Sequence, residues 1–341
     1  MIPSQHAPAE PGPGDICPFA AATPESRAAS LALGQALKQR AYTFTTVTPA
    51  THQRVNARAA AGWAKDLAGI FGWNRPFSAD LPGDELLASM IAAGVVREMN
   101  GSLRSRVRAS TLNGQLYLHS GFPTTAADAV FFGPDTYRFI HALRNLLSAC
   151  GAIGRAADIG CGAGSGAVTI ALAHPGAAVF AVDINQAALE ATALNARLAS
   201  AANVIPVQSD LLTAVEGSFD LIVSNPPYLL DRQQRAYRHG GGDLGAGLAV
   251  AIVQQAIVRL RPGGCLMLYT GVAIVDNADP FRATVAPLLE AAGFNWTYTE
   301  TDPDVFGEEL DEAHYALADR IAVVCLCAFK PENAASGPVQ E

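Results

Sequence analysis

The sequence predicts an α/β fold: a seven-stranded, mostly parallel sheet with helices on both faces, preceded by a smaller N-terminal domain of helices and hairpins. Three observations carry this. From residue 137 onward, short runs rich in Val, Ile and Ala alternate with amphipathic helix-length segments, the pattern of strand-helix-strand units. Half of the 341 residues are apolar and 16% are charged, enough to bury a sizeable core. A glycine-rich run at 160–166 falls where the first of these strands gives way to its helix.

Residues 1–24 hold six prolines, no basic residue and no continuous apolar block, and read as a disordered tail. The pattern is neither a signal peptide nor a transit peptide, which points to the cytoplasm. Apolar residues at helical spacing (Leu31, Leu33, Leu37) predict a helix over Glu25 to Arg40, and a second is expected from Pro49 to about Phe71. A short helix over Asp84 to Ala93 leads to strand-like runs at Val95 to Met99 and Leu103 to Ala109, joined by the turn Asn100-Gly101. A third run, Gln115 to His119, follows Asn113-Gly114. Helices followed by a hairpin are the order of a winged helix, so 25–122 reads as a helical, winged-helix-like substrate-recognition domain. Arg104, Arg106 and Arg108 alternate along one run and are expected on one face.

The larger unit spans 123–332, with 333–341 as a tail. After a helix at Tyr137 to Ser148, strands are expected at Ala156 to Ile159, Ala178 to Val182, Val204 to Gln208, Phe219 to Ser224, Cys265 to Thr270, Trp296 to Glu300 and Ile321 to Phe329. Helices fill the gaps at Gly166 to Ala173, Gln186 to Ala199, Ala249 to Leu260 and Phe281 to Ala292. Only a loop separates the last two strands, so the final one can run antiparallel.

Composition excludes several function classes. No apolar stretch approaches the roughly 20 residues of a membrane span. The six cysteines form no C-x-x-C pair, so neither a zinc site nor a disulfide framework follows, and no metal is expected. A net charge of −8 with only three lysines is not the general footprint of a nucleic-acid binder, although the first 144 residues lean basic.

Chemistry concentrates at strand ends. In Asp158-Ile159-Gly160-Cys161-Gly162-Ala163-Gly164-Ser165-Gly166 the glycines let the backbone approach a ligand and aim amide N–H groups at it. Dinucleotide enzymes carry such a turn too, and Asp183, ending the next strand, could serve either ligand as an acceptor for ribose hydroxyls. The carboxylate of Asp158 inside the turn suits a zwitterionic ligand better than a pyrophosphate, because like charges repel in a site of low dielectric. Asp210, after the third strand, offers an acceptor for a base amino group. Asn225-Pro226-Pro227-Tyr228 follows the strand Phe219 to Ser224. Its two prolines stiffen the backbone and remove two donors, leaving oxygens that only accept. Such a site suits a planar nitrogen whose N–H groups must be held so that its lone pair faces an electrophile, and Tyr228 is expected to stack on that planar group.

Together, the run Asp158 to Gly166, Asp183, Asp210 and Asn225-Pro226-Pro227-Tyr228 resemble a class I S-adenosylmethionine-dependent methyltransferase. The similarity is greatest to the small-domain branch containing the release-factor glutamine methyltransferases and the amino-directed nucleic-acid methyltransferases. It covers roughly residues 130–330 and implies a Rossmann-like sheet. It further implies S-adenosyl-L-methionine as cofactor, with contacts from Asp158, Gly160, Cys161, Gly162 and Gly164, from Asp183 and Ile184 at the ribose, from Asp210 and Leu211 at the adenine, and from Asn225. Asn225, Pro226, Pro227 and Tyr228 are then the catalytic segment of an N-methyltransferase. Pro134-Asp135-Thr136 matches part of a segment that closes over the cofactor in the family, implying contacts from Phe132 or Thr136. Gly240 to Leu248 resembles its mobile glycine flap, near which Arg232, Arg235, Arg238 and His239 could steer an acidic or phosphate-bearing substrate. The expected partner is a nucleic-acid base, foremost of rRNA, with a protein glutamine or a small planar metabolite as the alternative. A nucleotide-dependent oxidoreductase would leave the tetrapeptide unexplained, and the intact acceptors at Asn225 and Pro226 argue against a non-catalytic binding module.

Overall fold

A computed structural model describes residues 17–332 except 21, 233, 234 and 236. The expected tails lie mostly outside the described residues. Within the first, Cys17 and Phe19 are buried, so the packed chain starts before the expected boundary at 25.

The N-terminal part contains α1 (Pro24–Gln39), α2 (Pro49–Asn56) and α3 (Asp84–Ala92), then two hairpins: β1 (Val96–Met99) with β2 (Ser102–Ser105), and β3 (Val107–Leu112) with β4 (Gln115–Ser120). Two expectations are corrected here. The helix from Pro49 does not reach Phe71, because it ends where the Asn56 side chain turns to hold the Trp73 carbonyl (2.8 Å) and Arg75 Nε (2.8 Å). The run Leu103 to Ala109 breaks at Arg106 into strands of different hairpins, so the winged-helix order of one three-stranded sheet is absent. The arginine face dissolves with it: Arg108 is buried, donating to the Gly72 carbonyl (3.0 Å).

The rest follows the predicted alternation: α4 (Pro134–Ala149), β5 (Arg155–Ile159), α5 (Ser165–Ala173), β6 (Ala178–Asp183), α6 (Gln186–Leu198), β7 (Val204–Gln208), β8 (Phe219–Ser224), α7 (Gly247–Arg259), β9 (Leu260–Ile274), α8 (Pro280–Ala291), β10 (Asn295–Asp302) and β11 (Arg320–Phe329). The seven strands lie in the order β10-β11-β9-β8-β5-β6-β7. β11 runs antiparallel to both neighbours and the pairings among β5 to β9 are parallel. All six residues of β8 are buried, as a central strand covered on both faces requires. Strand order reverses between β5 and β8, and open sheets bind ligands in the crevice outside the carboxyl ends at such a point.

One continuous apolar core crosses the expected boundary at 122/123. Leu33 and Leu37 of α1 share it with Leu194 and Leu198 of α6. Fully burying such a leucine stabilises by roughly 1.5–3 kcal/mol. Polar ties reinforce the contact: Lys38 Nζ donates to the Leu198 carbonyl (2.6 Å), and the buried Asn195 of α6 accepts from Leu118 N (2.8 Å) and donates to Leu118 O (3.0 Å) on β4. The N-terminal elements are thereby fastened to the same helix that backs the glycine turn. No helix among the described residues is long and apolar enough to cross a membrane.

Candidate active site

A cavity of about 490 Å³ opens at the carboxyl ends of β5, β6, β7 and β8. That is within the usual range for small-molecule sites. It brings together Asp158, Gly160, Cys161, Gly162, Asp183, Ile184, Asp210, Leu211 and Asn225 to Tyr228, every sequence-predicted site residue but one.

The exception is Gly164. It lies outside the cavity wall, capping α5 in a left-handed conformation (φ 79°), and a Cβ there would come within 2.9 Å of Thr192 on α6. A glycine here is explained by close packing on a neighbouring helix, apart from any contact with a ligand.

The two acids nearest the turn are engaged by the protein's own backbone. Asp158, 2% exposed, accepts from Ala167 N at the start of α5 (2.8 Å). Burial pushes its carboxyl up to about 7, a rise that the nearby Asp183 carboxylate adds to and the Ala167 bond opposes. Asp183 accepts from Gly162 N (3.0 Å) with one oxygen and from Asn185 N (2.9 Å) with the other. Burial raises its carboxyl too, against these bonds. Asp183 therefore fixes the height of the glycine turn, and each of its oxygens, with one bond made, retains acceptor capacity. Asn195 completes the frame by donating to the Ala163 carbonyl inside the turn (2.9 Å). Asp210 is exposed, and among the described residues its carboxylate takes no hydrogen bond.

On the facing side the tetrapeptide is anchored at both ends. Ser224 Oγ donates to the Ile159 carbonyl (2.7 Å), and Tyr228 Oη donates to Asp135 Oδ2 (2.7 Å). Between these anchors Asn225 is half-buried and lines the cavity, and among the described residues its side chain makes no hydrogen bond. Tyr228 departs from the expectation of a freely presented stacking ring. It is 8% exposed, lies edge-on to Phe306 (5.9 Å between centroids), and packs so closely on Gly271 that a Cβ there would sit 2.1 Å from the ring. Burial and the Asp135 carboxylate keep its hydroxyl protonated.

From the segment 131–136, Phe131, Phe132, Pro134, Asp135 and Thr136 line the cavity. The glycine segment 240–247 lies stitched down, Gly240 N donating to Leu229 O (2.8 Å) and Leu229 N to Arg238 O (3.2 Å). The neighbouring arginines are paired: Arg232 with Glu312 (2.6 Å), Arg235 with Asp231 and Arg238 with Glu309. Sequence reasoning missed Arg138, Asp302, Asp304, Phe306 and Glu308, which also line the cavity. For Arg138 the signal was its i,i+3 spacing from Asp135; the others lie at the end of β10 and in the segment that follows it, which carry no motif. No cluster of His, Cys, Asp and Glu able to hold a metal occurs among the described residues.

The family model for the methyltransferase small domain matches residues 139–274, the stretch that carries the glycine turn and the tetrapeptide. A release factor glutamine methyltransferase of Deinococcus radiodurans is 33% identical over 217 residues, covering 60% of this chain and 73% of that protein. The chain belongs to the small-domain class I methyltransferases. This methyltransferase is also 31% identical over 156 residues to the 4-amino-L-phenylalanine/4-methylamino-L-phenylalanine methyltransferase of Streptomyces pristinaespiralis, covering 43% of the chain and 51% of that protein. It is 32% identical over 140 residues to ribosomal RNA small subunit methyltransferase C of Shewanella loihica, covering 40% and 35%.

Proposed function

We propose that this methyltransferase transfers the methyl group of S-adenosylmethionine to a planar nitrogen, and that the nitrogen is a protein side-chain carboxamide. The carrying observation is Asn225: a polar side chain in the cavity wall, held between two anchored ends, with its oxygen left without a partner among the described residues.

The cofactor would occupy the side of the cavity formed by Gly160 to Gly162, Asp183, Ile184, Asp210 and Leu211. Amide N–H groups of the turn would meet its carboxylate, Asp183 its ribose hydroxyls and Asp210 its base amino group. When bound, it supplies a methyl group on a sulfonium and departs as the neutral thioether. The residues of the chain do the positioning. The Asn225 side-chain oxygen and the Pro226 carbonyl accept the two N–H bonds of the target nitrogen, turning its lone pair toward the methyl. The nitrogen gains the N–C bond and gives up one proton to water. No strong base is required, because orientation alone can contribute on the order of 7–11 kcal/mol where alignment is near ideal. The Tyr228 ring serves as a fixed wall that keeps water from this side.

The charge of the cavity favours a protein over a nucleic acid. Both arginines lining it are already paired, Arg138 with Asp135 (3.0 Å) and Asp302 (3.1 Å), Arg238 with Glu309. Asp304 and Glu308 line it as exposed carboxylates. A phosphate backbone would meet repulsion here instead of the free cations such binding needs. The glutamine methyltransferase named among the relatives agrees with this reading. Incubation with tritiated cofactor, bacterial release factor and ribosomal RNA tests it: label recovered as N-methylglutamine supports the carboxamide, and label confined to RNA overturns it.

A further inference from the structure

The tetrapeptide poses a mechanical problem. Pro226 and Pro227 have no N–H to hold them in place, so the direction of the Asn225 and Pro226 oxygens depends on the two ends of the segment. One end is fixed by Ser224 on the Ile159 carbonyl. The other is Tyr228, and its hydroxyl opens a chain of bonds that no sequence motif announced. Asp135 Oδ2 accepts from Tyr228 (2.7 Å), Asp135 Oδ1 accepts from Arg138 Nη1 (3.0 Å), and Arg138 Nη2 reaches Asp302 Oδ2 (3.1 Å) at the end of β10. Asp135 is itself 7% exposed, and a buried carboxylate with both oxygens committed is geometrically exacting. The loop after Asp302 brings Phe306 edge-on to the same tyrosine ring.

We infer that Asp135 and Arg138 are positioning residues that act through Tyr228 to aim the Asn225 and Pro226 oxygens at the target nitrogen. The chain joins three walls of the cavity: the start of α4 with the segment 131–136 that enters it, the tetrapeptide after β8 and the end of β10. It thereby ties the start of α4 and the end of β10 to the alignment of the acceptors. This rests on the reading of Asn225 as the acceptor.

Tyr228→Phe keeps the ring and removes one hydroxyl, so the fold should survive. Its kcat is expected to fall at least tenfold, with the KM of the protein substrate and the cofactor Kd within about twofold of wild type. Asp135→Ala should do the same, and the double variant should be no slower than the worse single variant, because both break one chain. Arg138→Lys should recover most of the kcat that Arg138→Met loses. Wild-type kcat in Tyr228→Phe, or effects that multiply in the double variant, would overturn the inference. A readout without substrate separates this from failure of the proposed function: with 15N-labelled asparagine, the Asn225 side-chain amide signal, identified by its loss in Asn225→Ala, should move in Tyr228→Phe and Asp135→Ala. An unmoved signal would equally overturn it.

Discussion

The glycine turn and the tetrapeptide face each other across one cavity, yet they are built on opposite plans. At the turn, polar side chains are spent on the protein itself: Asp183 holds two backbone amides, Asp158 caps α5, and Asn195 pins the Ala163 carbonyl. The ligand is left to the backbone and to spare lone pairs. At the tetrapeptide the flanks are fastened by Ser224 and Tyr228, and the central side chain, Asn225, has no hydrogen-bond partner among the described residues. The first region holds a shape; the second keeps an acceptor available. The difference teaches that a partnered polar residue in a site can matter as scaffold, and that side chains without a partner among the described residues, Asn225 and Asp210, are the ones left available to a ligand.

The comparison can be broken most strongly at Asp158. Its folded carboxyl keeps a proton up to about pH 7, whereas in the unfolded chain it gives that proton up near pH 4. The folded state therefore binds more protons in this window, and the group's contribution to stability falls as pH rises from about 4 to 7, by at most about 1.4 kcal/mol per pH unit. Asp158→Asn should gain on the wild type steadily across that window in denaturant titrations, and parallel curves would show that Asp158 ionises freely. Next in size, Asn195→Ala should cost about 3 kcal/mol, since it strands buried backbone groups of Leu118 and Ala163 at once. The measurement is chemical unfolding, and a loss under 1 kcal/mol would mean that the turn does not depend on α6. Smaller still, Asp183→Ala should weaken cofactor binding by roughly 1.5–3 kcal/mol. Calorimetric titration with wild-type affinity would place the ribose elsewhere.

Much of this frame was legible in the sequence, because strand periodicity and turn chemistry are local. Val204–Gln208 and Phe219–Ser224 match their predicted ends, and the turn and tetrapeptide fall at the strand ends where expected. β9 extends beyond the predicted Cys265 to Thr270 because its pairing with β11 continues to Ile274, which is tertiary information. The arginine stripe failed for a local reason that periodicity does not register, a break at Arg106 between two hairpins. The bonds that organise the site were the hardest to read. Tyr228 meets Asp135 across 93 residues and Asn195 meets Leu118 across 77, and no spacing pattern joins either pair. Of the pairs that occupy the arginines beside the glycine segment, Arg232 with Glu312 and Arg238 with Glu309 are of the same kind, whereas Arg235 and Asp231 are only four residues apart.

The central claim is that Asn225 acts on the incoming nitrogen and not on the cofactor. The most direct measurement is a paired one on Asn225→Ala: titrate labelled S-adenosylmethionine, then follow label transfer to the protein substrate. Cofactor affinity within about threefold of wild type, with transfer lost, is the predicted result. Transfer at the wild-type rate, or loss of cofactor binding in step with transfer, would contradict the account.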